Sequence, residues 1–275
     1  MNIKELIKNG TEILKKYNID EAYLKAKILL EYELGVKNEY LIIHYEDEVE
    51  IKNLEKYKLD LQKLVNGFPI QYITNNQEFF GLNFYVDENV LIPQPDTELL
   101  IEEVINIAKK MEKPKILDMC TGSGAIAISI AKNINAEIYA SDISKKALNI
   151  SKVNAKKNNI DIKFIESNMF SKIDKKFDII VSNPPYIETN TIQLLSDEVK
   201  NEPKIALDGG EDGLNFYRIL AKECKKYLNN SGILAVEIGY NQKEKVLKIF
   251  QENGLKDLYS KKDYGNNDRI IIGRI

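Results

Sequence analysis

Apolar residues in the first 75 positions recur at the 3.6-residue spacing of amphipathic helices. The first such stretch begins at Ile3. A second follows Asp20, which we predict as its N-cap, and stops at Gly35. A third extends from Leu54 to Val65, just before Gly67. The pattern predicts a small bundle of three or more helices, which serves either to stabilise the chain or to bind a partner.

The pattern changes after residue 75. Residues 79–86 are largely aromatic and apolar, and they predict a β-hairpin. Two prolines then interrupt the chain before a helix that we predict to begin near Thr97, capped by the polar residues around it. We therefore divide the chain into a helical, partner-binding domain at 1–75, a hairpin and linker at 76–98, and a larger domain at 99–275.

From residue 115 onwards, short apolar strands alternate with helical segments. The predicted strands are 115–119, 137–142, 163–167, 177–183, 233–238 and 269–273, and the predicted helices are 124–132, 145–157, 214–228 and 243–251. This alternation predicts an α/β fold with a doubly wound, Rossmann-like sheet and helices on both faces. Ligands bind such sheets beyond the carboxyl ends of the strands, so the exit of the first strand is the place to look for a site.

Composition narrows the class of function. The 39 basic and 42 acidic residues give a net charge of −3, which argues mildly against free nucleic acid as a ligand. Neither a signal peptide nor an apolar run of about 18 residues is found, so we expect a cytoplasmic protein that does not act at a membrane. His44 is the only histidine, and its apolar neighbours favour a packing or surface role. We therefore expect neither a histidine base nor a metal site.

The first strand of the larger domain continues into a glycine loop. Gly122 and Gly124 allow a sharp turn and a close approach of the backbone to a ligand. Asp142 ends the second strand, where its carboxylate can accept hydrogen bonds from both hydroxyls of a ribose. The arrangement predicts an adenosine-containing cofactor. Its predicted ligands here are Asp118, Cys120, Thr121, Gly122, Ser123, Gly124 and Asp142.

The identity of the cofactor depends on Asp118. A fixed negative charge at this strand end would repel the pyrophosphate of a dinucleotide and would attract an α-ammonium group, which S-adenosyl-L-methionine carries. Two alternatives stay open on this motif alone: Asp118 caps the turn, or the loop binds NAD. After the third strand, Asn168 is placed to bind the exocyclic amine of an adenine, and Met169 to pack on its face.

The fourth strand leads into Asn183-Pro184-Pro185-Tyr186. An amide or exocyclic amino nitrogen is a poor nucleophile because its lone pair is delocalised. Hydrogen-bond acceptors on its N–H groups can turn that lone pair out of conjugation, and the Asn183 side-chain oxygen and the Pro184 carbonyl are suitable acceptors. The prolines fix the backbone direction, and Tyr186 offers a flat face to a planar substrate. We predict an N-methyltransferase in which Asn183, Pro184 and Tyr186 are catalytic and all four residues bind substrate, rather than an ordinary turn. Asn183 is also a predicted ligand of the cofactor.

These motifs together resemble those of the seven-strand class I methyltransferases, and among them the release factor glutamine methyltransferases. The motifs shared with the wider class are the loop at 117–124, Asp142 and the segment 182–187. The segments that match the narrower family are 91–98, 201–203, 206–210 and 263–269, of which 91–98 is the most specific. With the helical N-terminal region, the resemblance covers nearly the whole chain. It implies a seven-stranded doubly wound methyltransferase sheet with a small N-terminal helical bundle.

The resemblance also implies an activity: S-adenosyl-L-methionine-dependent methylation of the glutamine side-chain amide in the Gly-Gly-Gln motif of peptide-chain release factors. It implies that Asn183 and the carbonyl after it hold that amide, and that the helical domain helps to grip the protein substrate. Two residues depart from the family pattern. Gln94 stands where the family usually has Arg, which puts a partner contact in doubt, and Cys120 stands where Gly is frequent. Cys120 is small enough for the loop, and we expect its φ to be negative.

Two other classes of function use parts of the same pattern. A DNA or RNA adenine or guanine N-methyltransferase could share the reaction site, but it would need a basic recognition surface that the sequence does not show. A non-catalytic adaptor could keep the fold only to bind the cofactor. The presence of Asp118, Asp142 and Asn183 together argues against the adaptor.

Overall fold

A computed structural model describes all 275 residues. The chain forms two compact units. One comprises Met1–Asn75 and Ser196–Asn201, and the other comprises Asn76–Leu195 and Glu202–Ile275. Residues 76–98, which we had set apart as a hairpin and linker, therefore belong to the second unit. None of the helices combines the length and the apolar character needed to cross a bilayer.

The first unit is helical. Its helices are α1 (Ile3–Lys16), α2 (Ala22–Leu34), α3 (Asn38–Ile43), α4 (Ile51–Val65), α5 (Ile70–Thr74) and the short α9 (Asp197–Lys200). Their apolar faces share one core, in which the buried Tyr57 hydroxyl donates to the carbonyls of Leu6 and Ala26 at 3.3 and 3.2 Å. The predicted Asp20 cap is wrong. Glu21, with φ of 54°, occupies the N-cap position and separates Asp20 from the first turn of α2.

The second unit begins with a small hairpin, β1 (Gln77–Phe79) and β2 (Leu82–Phe84). A 3-10 turn at Pro95–Thr97 then leads into α6 (Glu98–Ala108). The polar cap that we predicted for this helix is absent. Thr97 does precede α6, but its backbone is already helical and its side chain makes no capping bond, because its hydroxyl is used elsewhere.

The rest of this unit surrounds one sheet. Its strands are β3 (Lys115–Met119), β4 (Glu137–Asp142), β5 (Lys163–Glu166), β6 (Phe177–Ser182), β7 (Leu228–Glu237), β8 (Lys256–Lys262) and β9 (Asp268–Arg274). Its helices are α7 (Ala125–Asn133), α8 (Lys145–Lys157), α10 (Lys204–Leu207), α11 (Asn215–Tyr227) and α12 (Lys243–Glu252). The strand order is β5-β4-β3-β6-β7-β9-β8, with β9 antiparallel to its neighbours. The prediction of a seven-stranded, doubly wound sheet is confirmed. The pattern missed β8 because this edge strand has little buried apolar surface.

Helices cover both faces of the sheet. The helices α6, α7 and α8 follow one another over one face, while α11 and α12 pack on the apolar cluster that includes Leu117 and Met119. Strand register decides where the ends meet: Met119 pairs with Ser141 on one side and with Ser182 on the other, and Ser182 pairs with Val236. The carboxyl ends of four parallel strands therefore lie at one edge, where the crossover direction of a doubly wound sheet changes.

Candidate active site

A cavity opens at this edge of the sheet. Seven of the residues predicted from sequence lie on its wall, namely Cys120, Gly122, Asp142, Asn168, Met169, Asn183 and Pro185. They come from the loops after β3, β4, β5 and β6. A second cavity shares Cys120, Gly122 and Asn183 with the first, and its wall also includes Thr121, Ser123 and Gln94. Asn183 thus lies where the two cavities adjoin.

The glycine loop uses left-handed backbone at alternate positions. The φ angles of Cys120, Gly122 and Gly124 are 62°, 54° and 83°. A Cβ atom at Gly124 would lie 2.4 Å from the Ser151 hydroxyl, so only glycine fits there without a shift. The negative φ expected for Cys120 is wrong: the reversal of the loop places this residue in the left-handed region, which costs a side-chain-bearing residue roughly 1–2 kcal/mol.

Asp142 is held by backbone donors at the end of β4. Its two carboxylate oxygens accept hydrogen bonds from the N–H groups of Gly122 and Ser144 at 2.9 and 2.8 Å. These bonds fix the direction of the carboxylate on the cavity wall, and each oxygen keeps a lone pair for a hydroxyl of a ligand. Burial raises the pKa of Asp142, against the opposing effect of these backbone bonds. The arrangement suits the diol of a ribose.

Asp118, unlike Asp142, lies away from the cavity walls. Its side chain is fully buried and lies on the wall of neither cavity. One oxygen accepts from the Thr121 hydroxyl at 2.5 Å and from the Ala127 N–H at 3.2 Å, and the other has no partner. Burial raises the pKa of Asp118 to about 7. The observed bonds match the turn-capping alternative, and a contact with an ammonium group stays a prediction.

Several residues of the site escaped the sequence analysis. Asn154 is fully buried, and its amide donates to the carbonyls of Ser123 and Tyr85 and accepts from the Tyr85 N–H, which ties the glycine loop to the segment after the hairpin. Phe216 of α11 adds an aromatic face to the wall of the first cavity. Neither position belongs to a recognisable motif, and no local signal in the sequence could have singled it out.

Asn183 begins a chain of side-chain hydrogen bonds. Its Nδ2 donates to the Thr97 hydroxyl oxygen at 3.2 Å, and the Thr97 hydroxyl donates to Glu237 Oε2 at 2.6 Å. The Tyr186 hydroxyl donates to the other oxygen of Glu237 at 3.4 Å. No hydrogen bond from the chain reaches Asn183 Oδ1.

The other residues of the tetrapeptide have separate places. Pro185 lies on the wall of the first cavity, whereas Pro184 and Tyr186 lie on neither wall. The Tyr186 ring packs against the apolar cluster under the sheet, and burial raises the pKa of its hydroxyl, which keeps it neutral. The structure therefore does not bring the Tyr186 face to a substrate cavity, and the predicted stacking role stays a prediction.

Glu237 is a second buried carboxyl of the site. It is 2 % exposed, and burial raises its pKa to about 7, although the Thr97 hydroxyl and the nearby Arg269 oppose that rise. The Arg269 guanidinium lies 3.0 Å from both Asp96 and Asp263. The segments 91–98 and 263–269, which we quoted for the family resemblance, thus converge around Glu237.

Comparison with known proteins agrees with this geometry. Residues 94–252 match the family model described as "Methyltransferase small domain", and residues 5–74 match "PrmC N-terminal domain". A release factor glutamine methyltransferase from Clostridium acetobutylicum is 41 % identical over 99 % of this chain and 98 % of its own. One from Haemophilus influenzae is 34 % identical, with 99 % of each chain covered. The chain belongs to the release factor glutamine methyltransferase family.

Among solved structures, a methyltransferase from Pyrococcus furiosus superposes with a TM-score of 0.55 at 18 % identity, covering 79 % of this chain and 98 % of that one. At this identity the likeness concerns the fold alone. The PrmC N-terminal model lies within the first 75 residues of the helical unit, and the methyltransferase model covers most of the second unit together with residues 196–201 of the first. The tetrapeptide at Asn183 and the glycine loop both lie in the residues matched by the methyltransferase model.

Proposed function

We propose that this chain methylates the side-chain amide nitrogen of a glutamine in peptide-chain release factors, and that S-adenosyl-L-methionine is the methyl donor. Its relatives of 34–41 % identity carry the name release factor glutamine methyltransferase over nearly their full lengths. The finer assignment, to the glutamine of a Gly-Gly-Gln motif, follows the family resemblance of the sequence.

One observation carries the chemical part of the proposal. The Asn183 amide is anchored through its nitrogen, its oxygen receives no bond from the chain, and the residue lies where two cavities adjoin. An amide nitrogen in the second cavity could donate an N–H to that oxygen while facing the first cavity. This is the arrangement that an in-line methyl transfer to a planar nitrogen requires.

The first cavity offers suitable groups for S-adenosyl-L-methionine. Asp142 would accept from the ribose hydroxyls, Asn168 would bind the adenine amine, and Met169 and Phe216 would pack against the adenine ring. Bound there, S-adenosyl-L-methionine would supply an electrophilic methyl group. No lysine or arginine lies on this wall, in keeping with a cofactor that carries no phosphate.

The chain's own residues would act on the amide nitrogen. Asn183 Oδ1, with the Pro184 carbonyl as the proposed second acceptor, would hold the two N–H groups and turn the lone pair away from the carbonyl of the substrate amide. The methyl group would pass from the sulfonium sulfur to this nitrogen, and one N–H proton would leave to water or to an acceptor carbonyl. A histidine base is not needed for this step.

The helical unit is the proposed grip on the protein substrate. It exposes several large apolar side chains, among them Ile42, Ile43 and Ile51 at 58, 77 and 75 %. Exposed apolar side chains of this kind can contribute to a surface that binds another protein. Residues 5–74 also match a domain model that the family carries at its N-terminus.

Replacing Asn183 by alanine tests the chemistry. We expect Asn183→Ala to fold normally and to bind S-adenosyl-L-methionine with the affinity of the parent, yet to transfer methyl groups at least about 100-fold more slowly, the scale of one lost preorganised polar group. Asn253→Ala, at the end of α12, is the matched control and should keep the parent rate. A normal rate in Asn183→Ala would remove the proposed role.

The substrate class needs its own experiment. The protein is incubated with radiolabelled S-adenosyl-L-methionine and with one candidate substrate at a time. The candidates are release factor, duplex DNA and RNA. We expect label in the release factor, on a glutamine that peptide mass spectrometry can locate. Label in DNA or RNA alone would replace the assignment by a nucleic-acid N-methyltransferase, and label in none would favour a cofactor-binding adaptor.

A further inference from the structure

The Asn183 amide has two orientations that differ only by exchange of its oxygen and nitrogen. In one, Oδ1 faces the cavities and can accept an N–H from a substrate amide. In the other, Nδ2 faces them and would meet that N–H as a second donor. Something in the site has to select the first orientation, because the two are nearly equal in shape.

The neighbours of Asn183 supply this selection. A carboxylate can only accept hydrogen bonds, so Glu237 in its ionised form obliges the Thr97 hydroxyl to donate toward it, at 2.6 Å. The single hydrogen of that hydroxyl is then used, and the oxygen can offer Asn183 only a lone pair. Asn183 therefore presents its Nδ2 to Thr97, at 3.2 Å, and its Oδ1 to the cavities.

We propose that Thr97 and Glu237 are positioning residues of the methyl transfer, and that this Glu237–Thr97–Asn183 relay fixes the acceptor orientation of Asn183. The inference rests on the proposed role of Asn183 and goes one step further, to the residues that set it. Thr97 lies on the wall of the second cavity beside Asn183, whereas Glu237 lies on neither wall. The relay acts through Asn183, without contact between either side chain and the reacting atoms.

The buried setting holds both ends of the relay in place. Glu237 is 2 % exposed, so water does not compete for its oxygens, and Arg269 opposes the loss of its charge. Thr97 is 4 % exposed and belongs to the turn before α6, whereas Glu237 ends β7, so both ends of the bond are fixed by secondary structure. A hydrogen bond to a buried carboxylate is stronger than one between neutral groups.

Substitutions at Thr97 separate the relay from a purely structural role. Thr97→Val keeps the size and branching of the side chain but removes the hydroxyl, and we expect the single-turnover rate of methyl transfer to fall about 10- to 100-fold with the affinity for S-adenosyl-L-methionine unchanged. Thr97→Ser retains the hydroxyl and should stay within about 3-fold of the parent. Thr11→Val, at a buried threonine of α1, is the control for removal of a buried hydroxyl.

A double-mutant cycle decides whether Thr97 acts through Asn183. In the Asn183→Ala background the relay has nothing left to orient, so adding Thr97→Val should change the remaining rate less than about 3-fold. Two independent losses that multiply would overturn the proposal, as would a Thr97→Val enzyme with the parent rate. If Asn183→Ala itself is fully active, the proposed function fails; if Asn183→Ala is slow and Thr97→Val is not, only the relay fails.

Discussion

At the glycine loop, backbone N–H groups hold the Asp142 carboxylate, whereas around Asn183 the hydrogen bonds join one side chain to another. Asp142 accepts from the N–H groups of Gly122 and Ser144. At the reaction end, the Thr97 hydroxyl joins Asn183 to Glu237. The two ends of one sheet edge thus reach their geometry by different means.

The difference decides which changes each end tolerates. A backbone-built loop depends on its φ angles, so it is sensitive to any side chain added where only glycine fits. A side-chain network depends on which atoms donate and which accept, so it is sensitive to isosteric changes that leave the backbone untouched. The following predictions test this contrast at the loop end, in order of decreasing effect.

Gly124 offers the sharpest test of the loop. An alanine there would keep a φ of 83° and bring its Cβ to 2.4 Å from Ser151 Oγ and 3.0 Å from Ile128 Cδ1. Left-handed strain and overpacking together should lower the free energy of unfolding by roughly 2–4 kcal/mol, measured by chemical denaturation. Gly122→Ala is the matched control: its Cβ would meet no atom within 4 Å, so only about 1 kcal/mol of strain is expected.

Part of the free energy of unfolding that Gly124→Ala loses should be recovered when the Ser151 hydroxyl is removed. The Ser151 hydroxyl has no hydrogen-bond partner, so Ser151→Ala removes the obstructing atom without breaking a bond. In the Ser151→Ala background, the cost of Gly124→Ala should fall towards that of Gly122→Ala but stay above it, because Ile128 Cδ1 at 3.0 Å and the Cβ of residue 151 at 3.2 Å still crowd the new methyl group. Equal costs for Gly124→Ala in both backgrounds would contradict the clash and leave backbone strain as the whole cause.

The glycine loop and the surroundings of Asn183 also differ in how well the sequence could predict them. The strands before and after the loop were predicted with the bounds that the structure has, Lys115–Met119 and Glu137–Asp142, because a local apolar run defines them. The loop and Asn183 were also found from local motifs. Thr97 and Glu237 were not, since they lie 86 and 54 positions from Asn183 in the chain (183 − 97 and 237 − 183). Thr97 was taken only for the start of a helix, because its local sequence suggests no more than that.

Cys120 shows the same limit of prediction from local sequence, here within the glycine loop. Its residue type argued for a negative φ, but the path of the chain between β3 and α7 imposes 62°. The preference of one residue for a φ region is worth roughly 1–2 kcal/mol, which tertiary structure can override. Local preference therefore located the loop but did not fix its conformation.

The two buried carboxyls, Asp118 and Glu237, should make the stability of the protein depend on pH. Burial raises the pKa of both Asp118 and Glu237 to about 7. An acid whose folded pKa lies above its unfolded value binds more protons when folded, so stability falls as the pH rises between the two values. We expect the free energy of unfolding to fall from pH 5 to pH 8, with a contribution from Asp118 of up to a few kcal/mol.

Asp118→Asn isolates that contribution at the loop end. Asparagine can still accept from the Thr121 hydroxyl and the Ala127 N–H through its oxygen, but it does not titrate. The variant should therefore lose less stability than the parent over the same pH range, as followed by urea denaturation at each pH. Parallel curves for the two proteins would show that Asp118 takes up no proton on folding in this range.

The smallest expected effect belongs to Cys120, where strain and packing oppose each other. Cys120→Gly should relieve the left-handed strain and raise the free energy of unfolding by about 0.5–1 kcal/mol, even though it loses the contact of the thiol with the Met169 sulfur at 4.0 Å. Cys120→Ala loses the same contact and keeps the strain, so it should be less stable than the parent. The gap between the two variants, about 1 kcal/mol, measures the backbone cost alone. If alanine and glycine prove equally stable at position 120, the loop is not governed by its φ angles there, and the contrast with the reaction end loses its basis at this residue.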